Sequence, residues 1–271
     1  MMFAASGSAR LAYDVAGVPG SGAGVLLIHA GVTDRRSWAP LVAALEDQHY
    51  SVAYDARGFG ETTYQPETFS PVDDAVAVMD ASGLRRPVVV AASMGGRTAI
   101  DLALAHPERV GGLVLIGPAV SGAPEMDDPP EVQAISDALD AADEAGDLDE
   151  VNRLEARLWL DGLPAPEGRV GGDTRALFLD MNRRALAAED PGEATGSDPA
   201  WSRLEQLAAP TLVMVGDLDL AECHERAREL AERVPGAEVL ALADVAHLPH
   251  LEADRDCLAA IGSFLERHGV H

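Results

Sequence analysis

The stretch VVVAASMGG at residues 88–96 decides how the chain should fold. Its first five residues are apolar without a polar break, which is typical of a strand buried on both faces. The small residues that follow lead into TAIDLALA at residues 98–105, where the apolar positions have helical spacing. Ser93 therefore lies where a strand turns into a helix. Such a tight turn requires small residues two positions away on either side, and Ala91 and Gly95 meet this requirement.

The rest of the chain alternates between strands and helices. A capping serine, a proline and two acidic residues mark one helix start at residues 70–74. Alternating strands and helices predict an α/β fold with a mostly parallel central sheet and helices on both faces. The predicted strands span residues 10–16, 25–28, 50–54, 88–92, 110–116, 210–216 and 238–242. The predicted helices include residues 38–45, 71–82, 221–233 and 253–267.

The alternation stops at Gly117 and Pro118. Residues 118–200 contain helical patterns, such as 150–160 and 174–186, and no clear strand. We therefore predict a core domain of residues 1–117 and 201–271. Residues 118–200 are expected to form a helical cap, or lid, over the carboxyl edge of the sheet.

Composition excludes several classes of function. The formal net charge of −25 argues against nucleic acid or anionic membrane as a partner. All basic residues are arginine, so no mechanism can depend on lysine. The two cysteines, Cys223 and Cys257, lack the spacing of a metal site and indicate reduced thiols in a cytoplasmic protein. No signal peptide or membrane-spanning stretch is expected from the sequence.

The strand–Ser93–helix pattern resembles the nucleophile elbow of the α/β-hydrolase family, G-x-S-x-G, with Ala91 in place of the first glycine. The alternative is a serine that merely caps the following helix. In the family the nucleophile is followed along the chain by an acid and then by a histidine. The resemblance therefore implies that Ser93 is a nucleophile and that its two partners lie downstream.

Two later segments resemble the family's acid and base motifs. VGDLD at residues 215–219 is similar to the G-[DE]-x-D ending, which implies Asp219 as the acid, with Asp217 and Glu222 as alternatives. ADVAHLPH at residues 243–250 is similar to the small-His-x-Pro pattern, which implies His247 as the base. His250 is expected at the start of the last helix, as a structural residue or as part of the lining of the site.

The resemblance also implies an oxyanion hole, in which two backbone N–H groups bind the negative oxygen of a tetrahedral intermediate. One donor is Met94, and the second is Gly31 in the loop HAG at residues 29–31, with Val32 as the alternative. Ala30 stands where the family has glycine, and His29 is expected to be a packed loop residue.

Three further features are interpreted as structural. DARGFG at residues 55–60 resembles the family's D-x-R-G-x-G turn and is expected to tie loops together beneath the site. Trp38 is expected to pack the first helix, and Cys223 is expected to be inert because no base is evident near it.

The resemblance implies acyl transfer from the substrate to Ser93 and then to water, through an acyl-enzyme and without a metal or cofactor. A small, apolar carboxylic ester or lactone is the expected substrate. Hydrolysis of a carbon–carbon bond in a vinylogous diketone and cofactor-free perhydrolysis are alternatives that use the same triad. A peptidase is disfavoured because the chain lacks a His-Gly-Gly-Pro loop. A non-catalytic receptor or scaffold is an alternative of another class, and a homodimer is possible.

Overall fold

One eight-stranded sheet runs through the protein, which a computed structural model describes at residues 1–196 and 198–269. In chain order the strands are β1 (Met2–Ser6), β2 (Ala9–Ala16), β3 (Gly24–Ile28), β4 (Tyr50–Tyr54), β5 (Val88–Ala92), β6 (Gly112–Ile116), β7 (Thr211–Gly216) and β8 (Glu238–Leu242). Across the sheet the order is β1-β2-β4-β3-β5-β6-β7-β8. β2 pairs antiparallel with β1 and β4, and every other neighbouring pair is parallel. The prediction of a mostly parallel sheet is confirmed.

Helices cover both faces of this sheet, as predicted. The α-helices are α1 (Ala39–Leu45), α2 (Pro71–Ser82), α3 (Met94–Ala105), α4 (Pro130–Glu144), α5 (Leu148–Glu155), α6 (Gly172–Leu186), α7 (Ala221–Arg233) and α8 (Arg255–His268). Val78 of α2, Ile100 of α3 and Leu230 of α7 are buried in the core on one face. Leu41 of α1 and Phe264 of α8 are buried in the core on the other. No helix in the described part of the chain is long and apolar enough to cross a bilayer.

Helix α2 shows how closely local sequence can fix an element. The Ser70 side chain accepts a hydrogen bond from the Asp73 N–H at 3.1 Å, and Pro71 occupies the first turn, where its missing N–H removes no helical hydrogen bond. Gly83 ends the helix with φ at 78°, in the left-handed region that favours glycine.

Several elements differ from the sequence prediction, and three of these differences have a clear physical cause. β1 was not expected, because it is a short edge strand in which only Ala4 is buried. The helix predicted over 150–160 is α-helical only to Glu155 and continues as a π-helical turn over Ala156–Asp161. The last helix begins at Arg255 rather than near 253, because the Asp254 side chain caps it by accepting from the Cys257 N–H at 2.8 Å.

The segment between β6 and β7 contains α4, α5 and α6 and contributes no strand to the sheet within its described residues. It has a small apolar cluster of its own, which includes Ile135, Val151 and Leu154. Arg169 connects this segment to the chain that follows β8. Its guanidinium donates to the Glu252 carboxylate at 2.6 and 2.8 Å. That this segment acts as a lid stays a prediction.

Candidate active site

Ser93 occupies the sharp turn between β5 and α3. Its φ of 50° and ψ of −116° are strained for a residue other than glycine. Backbone hydrogen bonds fix this conformation: the Ser93 N–H donates to the Ile116 carbonyl at 2.9 Å, and the Ser93 carbonyl accepts from the Gly96 and Ala119 N–H groups at 2.8 and 3.0 Å. The side chain makes no capping hydrogen bond to α3. The alternative reading of Ser93 as a simple helix cap is therefore wrong.

The small residues around Ser93 are needed for the close approach of α3 to β3. A Cβ atom added to Gly95 would collide with the carbonyl oxygens of Ile28 and His29, the latter at 2.6 Å. Ala91 lies within the sheet, where it pairs with Ile28 and Leu115, and its methyl group is fully buried. Alanine thus fits where the family motif has glycine.

Asp219 and His247 form a buried pair at the carboxyl ends of the neighbouring strands β7 and β8. Nδ1 of His247 lies 2.7 Å from Oδ2 of Asp219, and the Leu220 N–H donates to Oδ1 at 2.8 Å. Burial alone would raise the pKa of Asp219, but the charge of His247 and these hydrogen bonds outweigh it and hold the pKa below its ordinary value. The carboxylate is therefore anionic beside the imidazole.

The other nitrogen of His247 is available for chemistry. Nε2 is buried and has no hydrogen-bond partner among the described residues. His247 and Ser93 line one cavity of about 230 Å³, whose wall is mainly apolar and includes Val120, Ala123 and Trp159. The structure thus brings Ser93, Asp219 and His247 together at one site.

The competing acids do not contact His247. Asp217 is exposed in the turn after β7. Glu222 is also exposed and pairs with Arg226 at 3.3 Å. Of the three acids considered from the sequence, Asp219 is the one whose carboxylate holds the imidazole.

The expectation that His250 begins the last helix is wrong. It lies five residues before Arg255 and is completely buried, with its ring stacked on the Trp38 indole at a centroid distance of 4.0 Å. Burial lowers the pKa of His250 to about 3, so the ring is neutral. Trp38 packs in the core, as expected, beneath this histidine.

The two predicted oxyanion donors are neighbours. Met94 is the first residue of α3, where a backbone N–H has no intrahelical acceptor and the helix dipole favours negative charge. A Cβ added to Gly31 would lie 3.6 Å from both Cβ and Sδ of Met94, so the loop after β3 lies directly against the turn. The choice between Gly31 and Val32 as second donor stays a prediction.

His29 and the turn at 55–60 have structural contacts. Nδ1 of His29 lies 2.8 Å from the Ala30 carbonyl, and Nε2 accepts from the Ala56 N–H at 3.1 Å. Both ring nitrogens of His29 are thus used within the loop, as expected for a packed residue. Its pKa is lowered by burial.

Two buried arginines tie the 55–60 turn to its surroundings. Arg35 binds the carboxylates of Asp55, Asp14 and Glu61, the last two at 2.7 and 2.8 Å. Arg57 binds Asp74 at 2.8 Å, Glu67 at 2.6 Å and the carbonyl of Ser6 at 2.8 Å. The turn is held from both sides, in agreement with the role expected from the sequence.

Two residues beside His247, Gly117 and Trp159, were not identified from the sequence, and a third, Cys223, was interpreted as inert. Gly117 has φ at 47°, and a Cβ there would lie 2.8 Å from Cε1 and Nδ1 of His247. The Trp159 ring lies 4.7 Å from the His247 ring. Sγ of Cys223 lies 3.8 Å from Nδ1 of His247, so the expectation that no base is near this thiol is wrong. Burial raises the pKa of Cys223 well above its usual range, which argues against a thiolate nucleophile.

The sequence itself places Cys223 close to the acid. It lies four residues after Asp219, in the first turn of α7, so its position is tied to the loop that carries the acid.

Comparison with known proteins gives a consistent family. The sequence model of the alpha/beta hydrolase fold matches residues 25–254. The chain is 26% identical to a putative 2-succinyl-6-hydroxy-2,4-cyclohexadiene-1-carboxylate synthase of Bacillus subtilis, over 91% of this chain and 92% of that protein. It is 27% identical to a 2-hydroxymuconate semialdehyde hydrolase of Pseudomonas, over 91% of this chain and 88% of that protein. The solved enol-lactonase of Burkholderia xenovorans is similar in structure, with a TM-score of 0.75 at 25% identity, covering 97% of this chain and 99% of that one.

Proposed function

The chain belongs to the α/β-hydrolase fold family, and on that premise we propose that it cleaves small, apolar carboxylic esters or lactones through an acyl-enzyme. In this proposal Ser93 is the nucleophile, His247 the general base and Asp219 the acid that orients it. Gly31 and Met94 supply the oxyanion hole, and residues 118–200 form the lid.

The observation that carries the proposal is the unequal environment of the two nitrogens of His247. Nδ1 is held by the Asp219 carboxylate at 2.7 Å, whereas Nε2 is buried without a partner among the described residues. A neutral imidazole that donates from Nδ1 has an unprotonated Nε2, and that nitrogen can accept a proton. Ser93 lines the same cavity and offers the hydroxyl whose proton would be accepted.

Acylation follows from these positions. Ser93 Oγ attacks the substrate carbonyl carbon while its proton passes to His247 Nε2. The carbonyl oxygen becomes negative and accepts hydrogen bonds from the N–H groups of Met94 and Gly31. The intermediate collapses to the acyl-enzyme when His247 returns the proton to the leaving alcohol oxygen.

Deacylation repeats the sequence with water. His247 takes a proton from water, the hydroxide attacks the ester carbonyl of the acyl-enzyme, and the protonated histidine returns the proton to Ser93 Oγ. The product is a carboxylic acid. The negative charge of Asp219 stabilises the imidazolium in both halves of the reaction.

The shape and lining of the cavity support a small, apolar substrate. Its volume is about 230 Å³, and Val120, Ala123 and Trp159 give it an apolar wall. The similarity to an enol-lactonase supports an ester or lactone bond as the group cleaved.

Hydrolysis of a carbon–carbon bond is a second candidate, with the same triad. It is favoured by the similarity to a 2-hydroxymuconate semialdehyde hydrolase over nearly the full length of both chains. The two candidates differ in the substrate that the cavity accepts, and one series of assays separates them.

The deciding experiment is hydrolysis of p-nitrophenyl esters, from acetate to long acyl chains, by the wild type and by Ser93→Ala. We expect turnover of short or medium esters by the wild type and loss of turnover in the variant, which lacks a single oxygen atom. Ser51→Ala is the matched control, because Ser51 is also buried, and its hydroxyl has no partner among the described residues. This control should retain wild-type turnover.

Two outcomes would contradict the ester proposal. Equal activity in the wild type and Ser93→Ala would remove Ser93 from the mechanism. Absence of ester turnover together with Ser93-dependent cleavage of a vinylogous diketone would favour the carbon–carbon hydrolase instead.

A further inference from the structure

Three side chains with different ligand atoms converge behind the proposed base. A carboxylate oxygen of Asp219, Sγ of Cys223 and a ring nitrogen of His247 all lie within 4.8 Å of one another. Sγ and Nδ1 are 3.8 Å apart, and Nδ1 and Oδ2 are 2.7 Å apart. The reaction proposed above uses Asp219 and His247 but leaves the thiol without a role.

The separations suit a tetrahedral metal ion after a small adjustment. Zinc binds sulfur at about 2.3 Å and nitrogen or oxygen at about 2.0–2.2 Å, so ligand atoms around it lie about 3.3–3.6 Å apart. The Sγ–Nδ1 distance of 3.8 Å is slightly longer than this range. The Nδ1–Oδ2 distance of 2.7 Å is clearly shorter, so the imidazole and the carboxylate must move apart when a metal binds. Sulfur and imidazole donors favour zinc or cadmium over magnesium or calcium, which prefer oxygen.

We propose that Asp219, Cys223 and His247 form an inhibitory site for a thiophilic divalent cation such as Zn²⁺. The inhibition rests on the proposed function, whereas the binding of the metal does not.

The site can be reached from the cavity. Cys223 is half-buried and lines the wall that also contains Ser93, His247 and Glu222. The Asp219 carboxylate makes the approach favourable for a cation, whereas the charge of Glu222 is balanced by its ion pair with Arg226.

Binding would change the proton on His247. The Cys223 thiol loses its proton to water, and bonds form from the metal to Sγ, Nδ1 and a carboxylate oxygen of Asp219. The hydrogen bond between Nδ1 and Oδ2 breaks, and the imidazole proton moves to Nε2. A protonated Nε2 cannot accept the proton of Ser93, so the metal and the reaction exclude each other.

The first test measures binding without catalysis. Ser93→Ala is titrated with Cd²⁺ and followed by the near-ultraviolet charge-transfer absorption of a cadmium–thiolate bond. We expect the band to appear with one Cd²⁺ per chain. It should be absent from the double variant that carries both Ser93→Ala and Cys223→Ser. Cys257→Ala is the matched control: Cys257 is buried on α8, outside this cluster, so the band should remain.

A second variant distinguishes the cluster from a thiol acting alone. His247→Ala in the Ser93→Ala background should weaken Cd²⁺ binding at least tenfold. In the active enzyme, Cys223→Ser should raise the Zn²⁺ concentration for half-inhibition at least tenfold, with each variant normalised to its own metal-free rate.

Other results would overturn the proposal. Three results would each place the metal elsewhere. These are a band that persists in Cys223→Ser, a band that is lost in Cys257→Ala, and Cd²⁺ binding that is unchanged in His247→Ala. Absence of a band in Ser93→Ala would exclude the site. A normal band in a protein that hydrolyses no ester would support the metal site while contradicting the proposed function.

Discussion

The loop after β8 carries two histidines, three residues apart, in opposite environments. His247 has one nitrogen held by a buried carboxylate and lines the cavity that contains Ser93. His250 is sealed in the core against Trp38, with neither ring nitrogen hydrogen-bonded to any described residue. Both residues are histidines in one loop, so residue type and position do not separate them. A histidine becomes a candidate base through its hydrogen-bond partners and its access to a cavity.

Replacing each histidine by asparagine tests this difference most directly. We expect His247→Asn to lower kcat for ester hydrolysis by about 10⁶-fold, as loss of a triad base does in serine hydrolases. His250→Asn should retain kcat within about tenfold and lower the thermal midpoint instead, because it alters core packing. Steady-state kinetics and thermal melts on both variants check this. Similar losses of kcat in the two variants would remove the distinction between them.

Gly117 offers a subtler test of the geometry around His247. Gly117→Ala should lower kcat by about 10²-fold, because its Cβ would lie 2.8 Å from Nδ1 and 3.1 Å from Oδ2 of Asp219 and would displace the pair. Gly146→Ala is the matched control: Gly146 also has a positive φ, at 69°, and has nothing within 4 Å of an added Cβ. Both variants should lose stability from backbone strain, but Gly146→Ala should keep its kcat. A normal kcat in Gly117→Ala would contradict the tight packing of the site.

The smallest expected effect concerns the pH dependence of stability at His250. Its pKa is about 3 in the folded state, whereas an unfolded histidine titrates near 6.5. Below pH 6.5 the unfolded chain therefore binds a proton that the folded chain does not, and the free energy of unfolding decreases as the pH falls towards 3. This contribution approaches about 1.4 kcal/mol per pH unit.

His250→Phe keeps an aromatic ring against Trp38 and removes this titration. Urea unfolding between pH 6 and pH 4 should show a shallower loss of stability in the variant than in the wild type. Parallel pH profiles for the two proteins would show that His250 is not the buried neutral group described here.

Much of the fold and the candidate site could be predicted because the deciding signals are local. The apolar run before Ser93, the Ser70 cap and the short acid and histidine loops each depend on residues close together in sequence. The order Ser93, Asp219, His247 was implied by the resemblance to the family, and each of the three residues follows a strand that local sequence predicts. Parallel strands bring their carboxyl ends to one edge of a sheet, so residues far apart in sequence become neighbours.

What could not be predicted depends on packing between distant segments. Gly117 was interpreted only as the point where the alternation of strands and helices stops. Its close approach to the His247 ring depends on a loop 130 residues further along the chain. The contact between Trp159 and His247 depends on a π-helical turn, which has no clear sequence pattern. The Trp38–His250 stack likewise joins the first helical region to the last loop. The sequence pattern of either segment does not predict a contact with the other.

The buried arginines at the 55–60 turn affect how the stability of the protein depends on salt concentration. The protein's net charge of −25 makes its surface carboxylates repel one another, and dissolved ions screen that repulsion. The guanidinium groups of Arg35 and Arg57, with side chains 8% and 2% exposed, are shielded from the same ions, so their attractions to Asp55 and Asp74 weaken far less. Rising ionic strength thus weakens the repulsion between surface carboxylates but leaves the buried ion pairs largely intact. The protein should therefore become more resistant to unfolding as salt is added.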